Sequence, residues 1–236
     1  MARPKRSFAR RWFLRLLTVG AAVLASLAGW TWFTWPDVAA LATENPGSTA
    51  FIDAARAERD DVEWRWAPSN EISPELKKAV IAAEDLSFFS HSGFDTHELK
   101  IAARDAVRGK RVRGASTITQ QLAKNLWLSP SRSPFRKVRE AILTRQLETH
   151  LSKQRILELY LNVVQFGPAV YGAEAAARHY FGRSAADLDA DQAAALAASL
   201  PRPTSWHPGV ETRGYGRAVE RVRDRVERCD WLDKLL

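Results

Sequence analysis

The spacing of apolar residues along the chain predicts a protein built mainly from α-helices. Ile118, Leu122 and Leu126 recur at i, i+4 and i+8, which places them on one face of a helix. Residues 73–75 read Ser-Pro-Glu, a typical helix start with an N-cap, a proline at the first helical position and an early acid. Strand patterns are few, and the clearest is the alternation of aromatic and charged residues at 62–66.

The predicted helix around residue 120 carries a polar face opposite its apolar stripe. Ser116 or Thr117 can cap this helix. The polar side chains that follow are Gln120, Gln121 and Lys124, with no acid to neutralise the lysine. Such a face suits a polar, anionic ligand, although on spacing alone a solvated helix surface accounts for it equally well.

The N-terminal pattern predicts a membrane anchor. Residues 1–15 are basic and contain no acid, and residues 16–35 contain no charge. A helix of this length spans roughly 30 Å, the thickness of a bilayer's hydrocarbon core. The basic tail is expected to stay in the cytoplasm, so the rest of the chain lies on the far side of the membrane. The alternative is a cleaved signal peptide ending near 26–28, and it implies export as well.

The remaining chain is predicted to form a linker at 36–61 and one globular domain at 62–236. The formal net charge is +8. A basic exported protein is suited to anionic lipid headgroups and lipid pyrophosphates, and export argues against nucleic acid as a partner. Cys229 is the single cysteine, which excludes an intrachain disulfide and a cysteine-based metal cluster.

Residues 114–125, Gly-Ala-Ser-Thr-Ile-Thr-Gln-Gln-Leu-Ala-Lys-Asn, resemble the signature of the family 51 glycosyltransferases. These are the peptidoglycan glycosyltransferases, which polymerise lipid II, a lipid-linked disaccharide, into cell-wall glycan. All five family motifs occur in order between residues 64 and 208. The resemblance implies a lysozyme-like helical fold, with lipid II and the growing glycan strand as substrates and no organic cofactor. It also implies a location at the outer face of the cell inner membrane, where other cell-wall synthesis proteins are potential partners.

Glu84 is the candidate general base. It lies at the edge of an apolar stripe and near the C-terminal end of its helix, where burial and the helix dipole both raise a carboxyl pKa. On the residues alone, a surface acid beside Asp85 is the commoner interpretation. Residues 84–95 resemble the family's first motif, which implies that Glu84 takes the proton from the 4-hydroxyl of the acceptor sugar. The nearby His91, Asp95 and His97 fit no standard metal-ligand spacing, so structural hydrogen bonding is favoured for them.

Glu140 is the second candidate catalytic carboxylate. Arg136 and Lys137 precede it at i, i+4 and i, i+3, a spacing that by itself predicts intrahelical ion pairs of ~0.2–0.5 kcal/mol each. The resemblance implies instead that Glu140 supports the leaving-group side, with a possible Mg or Mn ion. It also implies a substrate-binding set: Ser116, Thr117, Gln120, Gln121, Lys124, Arg132, Arg136 and Lys137.

Three positions depart from the family pattern. Ile101 stands where a cation is frequent, Gln165 where glutamate is common, and Ala169 where a second glycine is usual. The last change matters if the backbone there requires a positive φ.

The expected reaction is an inverting glycosyl transfer that releases undecaprenyl diphosphate, which needs a base but no enzyme nucleophile. No Ser-x-x-Lys or Lys-Thr-Gly motif occurs, so the resemblance is to members with the glycosyltransferase activity alone. Two alternatives remain. One is a glycan-cleaving enzyme of lysozyme-like fold with Glu84 as general acid, and the other is an inactive membrane scaffold for cell-wall synthesis.

Overall fold

A computed structural model describes residues 6–109, 116–129 and 133–236. The chain forms two compact units, Met1–Asp37 and Val38–Leu236. The first unit contains helix α1, Arg6–Phe33, on which most of the predicted membrane-spanning segment 16–35 falls. Among the helices that the structure describes, however, none combines the length and the apolar character needed to cross a membrane.

The second unit is mainly helical, as predicted. Its helices are α2 Ala50–Glu58, α3 Pro74–Glu84, α4 Thr96–Val107, α5 Ile118–Trp127, α6 Pro134–His150, α7 Lys153–Val163, α8 Ala173–Phe181, α9 Ala190–Ser199 and α10 Arg213–Val226. Its strands are β1 Glu63–Trp64, β2 Gln165–Gly167 and β3 Val170–Tyr171. The few short strands agree with the sequence prediction, including the strand expected at 62–66.

The three strands form one small sheet in the order β1-β3-β2. β1 runs parallel to β3, with Glu63 opposite Val170 and Trp64 opposite Tyr171. β2 runs antiparallel to β3 and is irregular between Gln165 and Gly167. The sheet therefore joins the beginning of the domain to a loop more than a hundred residues later.

The predicted helix starts and apolar faces are confirmed at the two helices that matter most for the site. Ser73 caps α3 by accepting a hydrogen bond from the backbone N–H of Glu75, and Pro74 is the first helical residue. In α5 the stripe of Ile118, Leu122 and Leu126 is buried. α3 packs on α9 and α10, and α5 packs on α6 and α7. These contacts hold the C-terminal end of α3 and the exposed side of α5 in fixed positions.

Residues 38–61, which the sequence indicated as a linker, lie within the compact second unit. Thr49 caps α2, and Ile52 of that helix is fully buried. α2 packs on α5. A nine-residue helix with one deeply buried side chain has too short an apolar repeat to stand out in the sequence.

Ala169 occupies the left-handed backbone region with φ of 61°, so this departure from the family pattern falls where glycine is favoured. A left-handed conformation costs an L-residue roughly 1–2 kcal/mol, while glycine loses about 0.4–1 kcal/mol more conformational entropy on folding. We expect Ala169→Gly to raise the free energy of unfolding by up to about 1 kcal/mol, measured by urea denaturation. Ala194→Gly, inside α9, should lower it. A destabilised Ala169→Gly variant would contradict this account.

Candidate active site

Glu84 is the last residue of α3, at the C-terminal end that the sequence predicted. The side-chain amide Nε2 of Gln121, on α5, donates a hydrogen bond of 2.7 Å to Oε2 of Glu84. Burial raises the pKa of the Glu84 carboxyl, and the Gln121 hydrogen bond and the positive charges of Arg225 and Lys124 oppose this rise. The result is a carboxyl whose pKa lies above its ordinary range, as general-base catalysis near neutral pH requires.

Tyr160 fixes the orientation of Gln121. Its hydroxyl lies 3.0 Å from Oε1 of Gln121 and donates to it, so the amide nitrogen faces Glu84. Tyr160 is fully buried on α7, and burial raises the pKa of its phenol well above the ordinary value, which keeps the donor proton in place. In the sequence, Tyr160 belongs to the apolar pattern of residues 153–162, which predicts only that it lies on a buried helix face. Its hydroxyl among aliphatic neighbours was the one signal that it has a polar partner.

Asp85 joins the end of α3 to the start of α5. Its buried carboxylate accepts a 2.9 Å hydrogen bond from the backbone N–H of Ile118 and lies 2.9 Å from Nε2 of His91. The backbone N–H of Gly93 donates to Nδ1 of the same imidazole, so Nε2 carries the proton. This network agrees with the structural role favoured for His91. In the part of the chain that the structure describes, no three His, Cys, Asp or Glu side chains form a potential metal site.

Thr117 and Gln120 form a capping box at the start of α5. The backbone N–H of Thr117 donates to the Gln120 side chain at 3.0 Å, and the backbone N–H of Gln120 donates to the Thr117 hydroxyl at 3.2 Å. Both side chains are buried, whereas Ser116 is exposed. Of the polar face predicted on α5, Gln121 and Lys124 are therefore the members that the structure brings to Glu84.

Glu140 lies within a cluster of cations on α6 and α5. Its side chain is 3% exposed and forms ion pairs with Arg136, at 3.0 Å, and with Lys137. Burial lowers the pKa of the Lys124 ammonium. The negative charges of Glu140 and Glu84 oppose this lowering of the pKa, whereas the positive charges of Arg136 and Lys137 add to it. Lys124 is thus within electrostatic reach of both carboxylates, and the structure brings together Glu84, Gln121, Lys124, Arg136, Lys137 and Glu140. Arg132, also predicted for this site, lies outside the described residues.

A divalent cation at Glu140 is a poor match to the described residues. Mg²⁺ and Mn²⁺ prefer several oxygen ligands, whereas Glu140 offers a single carboxylate whose two oxygens already contact Arg136 and Lys137. These two side chains therefore already bring to the carboxylate the positive charge that a metal ion would supply.

The departure at Gln165 has a local effect. Its amide Nε2 donates a 2.9 Å hydrogen bond to the carbonyl of Gly167, within β2 itself.

Ile101, the departure where a cation is frequent, lies on α4 and is partly buried. Its apolar side chain can form neither a hydrogen bond nor an ion pair with the carboxylates of the site.

Comparison with known proteins identifies the family of the chain. Residues 52–228 match the Transglycosylase family. The chain belongs to this family. It is 43% identical over 234 residues to the biosynthetic peptidoglycan transglycosylase of Nitrosospira multiformis, covering 93% of this chain and 97% of the relative. The proteins of the same name from Methylobacillus flagellatus and Aromatoleum aromaticum are 46% and 47% identical, each covering 77% of this chain and 82% of the relative.

Proposed function

We propose that this transglycosylase polymerises lipid II into peptidoglycan glycan strands, with Glu84 as the general base and Lys124, Arg136 and Lys137 binding the leaving diphosphate. The observation that carries the proposal is that Lys124 lies within electrostatic reach of two carboxyls: Glu84, whose pKa burial raises, and Glu140, which is buried and paired with cations. The names of the similar proteins support the same substrate class.

The base acts on the acceptor sugar. Gln121 holds Oε2 of Glu84, which orients the carboxylate while Oε1 takes the proton of the acceptor 4-hydroxyl. The acceptor oxygen then forms its bond to the anomeric carbon of the donor as the bond from that carbon to the diphosphate breaks on the opposite face. Configuration is inverted, the proton ends on Glu84, and no enzyme nucleophile is required.

The cation cluster acts on the leaving group. Undecaprenyl diphosphate gains negative charge as the glycosidic bond to it breaks, and positioned cations stabilise that charge most where water is restricted. Arg136 presents a planar guanidinium suited to phosphate oxygens, and Lys124 adds a partly buried ammonium. Glu140 holds Arg136 and Lys137 together against their mutual repulsion.

The requirement for phosphate binding favours transfer over glycan cleavage. A glycan-cleaving enzyme needs no diphosphate site, so the cations paired with the buried Glu140 would serve no purpose in its reaction. An inactive scaffold would likewise have no use for Glu84, a carboxyl near these cations whose pKa is raised by burial.

We further propose that the protein works at the outer surface of the cell inner membrane, anchored through residues 16–35. Two features support contact with a membrane. The side chains of Leu16, Leu17 and Val19 in α1 are exposed, and Phe135, Val138 and Ile142 form an exposed apolar stripe at i, i+3 and i+7 along α6. Fractionation of cells with an alkaline wash tests the membrane anchor, and recovery of the protein in the soluble fraction would contradict it.

The direct test of the function uses the full chain in detergent with labelled lipid II. We expect a ladder of lengthening glycans on a gel, together with release of undecaprenyl diphosphate. Digestion of a preformed glycan without any ladder would favour the cleaving enzyme. No reaction with either substrate from a folded protein, with and without added Mg²⁺, would favour the scaffold.

The raised pKa of Glu84 gives a pH dependence. A general base must be deprotonated, so kcat/KM is expected to rise with pH through the pKa of Glu84 and to fall on acidification. The midpoint of this acidic limb should lie above the ordinary glutamate value of 4.5, because burial disfavours the charged form. Measurement of kcat/KM against pH checks this, with circular dichroism at each pH as the control for unfolding. A limb at or below 4.5 would remove the argument for Glu84 as a tuned base.

A further inference from the structure

Arg225 contacts the end of the helix that carries Glu84. It lies in the last turn of α10, which packs against α3. Its Nη1 donates hydrogen bonds to the backbone carbonyls of Ala83, at 3.0 Å, and Ala82, at 3.3 Å. Carbonyls in the final turn of a helix have no partner within the helix, and Arg225 supplies one.

The contact places a positive charge at the helix turn that ends in Glu84. The C-terminal end of a helix carries partial negative charge, which a cation stabilises and which on its own disfavours an ionised carboxylate. The charge of Arg225 stabilises this helix end. It also favours the ionised form of Glu84.

Other charged and titratable groups lie on the elements around Glu84. Asp85 follows it and disfavours ionisation, whereas Lys124 on α5 favours it. The phenol of Tyr160 on α7 is protonated. α9 also packs on α3, and its acid Asp191 is paired with Arg223. In the described chain, Arg225 is therefore the cation that reaches Glu84 from the C-terminal helix.

We propose that Arg225 is a positioning residue for the base: it fixes the C-terminal turn of α3 and keeps Glu84 ionised at the working pH. The proposal rests on the proposed role of Glu84 and adds to it a residue from outside the sequence motifs. Arg225 itself is exposed, so water and salt screen part of its charge. Its effect on Glu84 is therefore expected to weaken as ionic strength rises.

The test separates the charge from the hydrogen bonds. Arg225→Gln keeps a donor for the carbonyls but removes the charge, and Arg225→Lys keeps the charge. Arg217→Gln is the matched control, because Arg217 is an exposed arginine of the same helix about two turns away, roughly 12 Å along its axis. For each full-length variant, kcat/KM for lipid II is measured against pH at low and high salt, and the melting temperature is recorded.

We expect the acidic limb of Arg225→Gln to move to higher pH at low salt, with activity approaching that of the wild type above the limb. The limb of Arg225→Lys should stay near its wild-type position, and that of Arg217→Gln should not move. High salt should reduce the difference between Arg225→Gln and wild type. A limb that Arg225→Gln leaves in place, with or without a lower melting temperature, would overturn the proposal. Failure of the wild type to make glycan would instead count against the proposed function.

Discussion

Replacement of Glu84 by glutamine is expected to lower the rate of glycan polymerisation by about 10²–10⁴-fold, the usual contribution of a general base. Glutamine keeps the size of the side chain and still accepts a hydrogen bond from Gln121, but its amide cannot take the acceptor's proton. The fold should be preserved, because the substitution removes a charge that burial disfavours. The initial rate of lipid II consumption, with the glycan ladder as readout, measures the effect.

The matched control for this variant is Glu75→Gln. Glu75 is exposed in the first turn of the same helix, roughly 14 Å from Glu84 along its axis. It should retain wild-type activity. If Glu84→Gln were as active as Glu75→Gln while both remained folded, the proton would have to go to another group and the proposed base would be wrong.

Neutralisation of the cation cluster is expected to have the second large effect. Loss of one positioned donor to developing charge typically costs about 10²–10³-fold in kcat, so Arg136→Gln and Lys137→Gln should each be strongly impaired. Removing both cations leaves Glu140 as an unpaired buried charge, which typically destabilises a protein by about 3–5 kcal/mol. The triple variant Arg136→Gln, Lys137→Gln, Glu140→Gln avoids that charge and should fold while remaining inactive.

Arg145→Gln provides the control, since Arg145 is an exposed arginine of the same helix. Single-turnover kinetics with lipid II separates chemistry from binding, and thermal melting reports stability. A folded triple variant with near wild-type turnover would contradict a role for this cluster in stabilising the leaving diphosphate.

The sequence predicted local features of this site well. The end of α3 at Glu84, the cap of α5 at Thr117 and the buried stripe from Ile118 follow from spacing and capping, which depend on neighbours within one or two turns. The roles of the site residues in catalysis come from the family resemblance and remain predictions.

Contacts between distant elements were beyond the reach of the sequence pattern. Periodicity shows which face of α7 is buried, but not that Tyr160 meets Gln121, and it gives α10 an amphipathic face without indicating that Arg225 reaches α3. Gln120 makes a contact that its helical spacing did not indicate. The helical spacing places it with Gln121 on one polar face, while in the structure its side chain completes the cap of its own helix.

The distance in sequence between Arg225 and the helix end that it caps has a consequence for how the protein is made. The contact with Ala83 spans 142 residues. At a synthesis rate of about 5–20 residues per second, on the order of ten seconds separates the appearance of the two groups. Strand β1 likewise cannot pair until β3 has been synthesised. The nascent chain thus carries Glu84 through most of its synthesis without the cation that completes its surroundings, and the base reaches its final environment only when the domain is almost fully made.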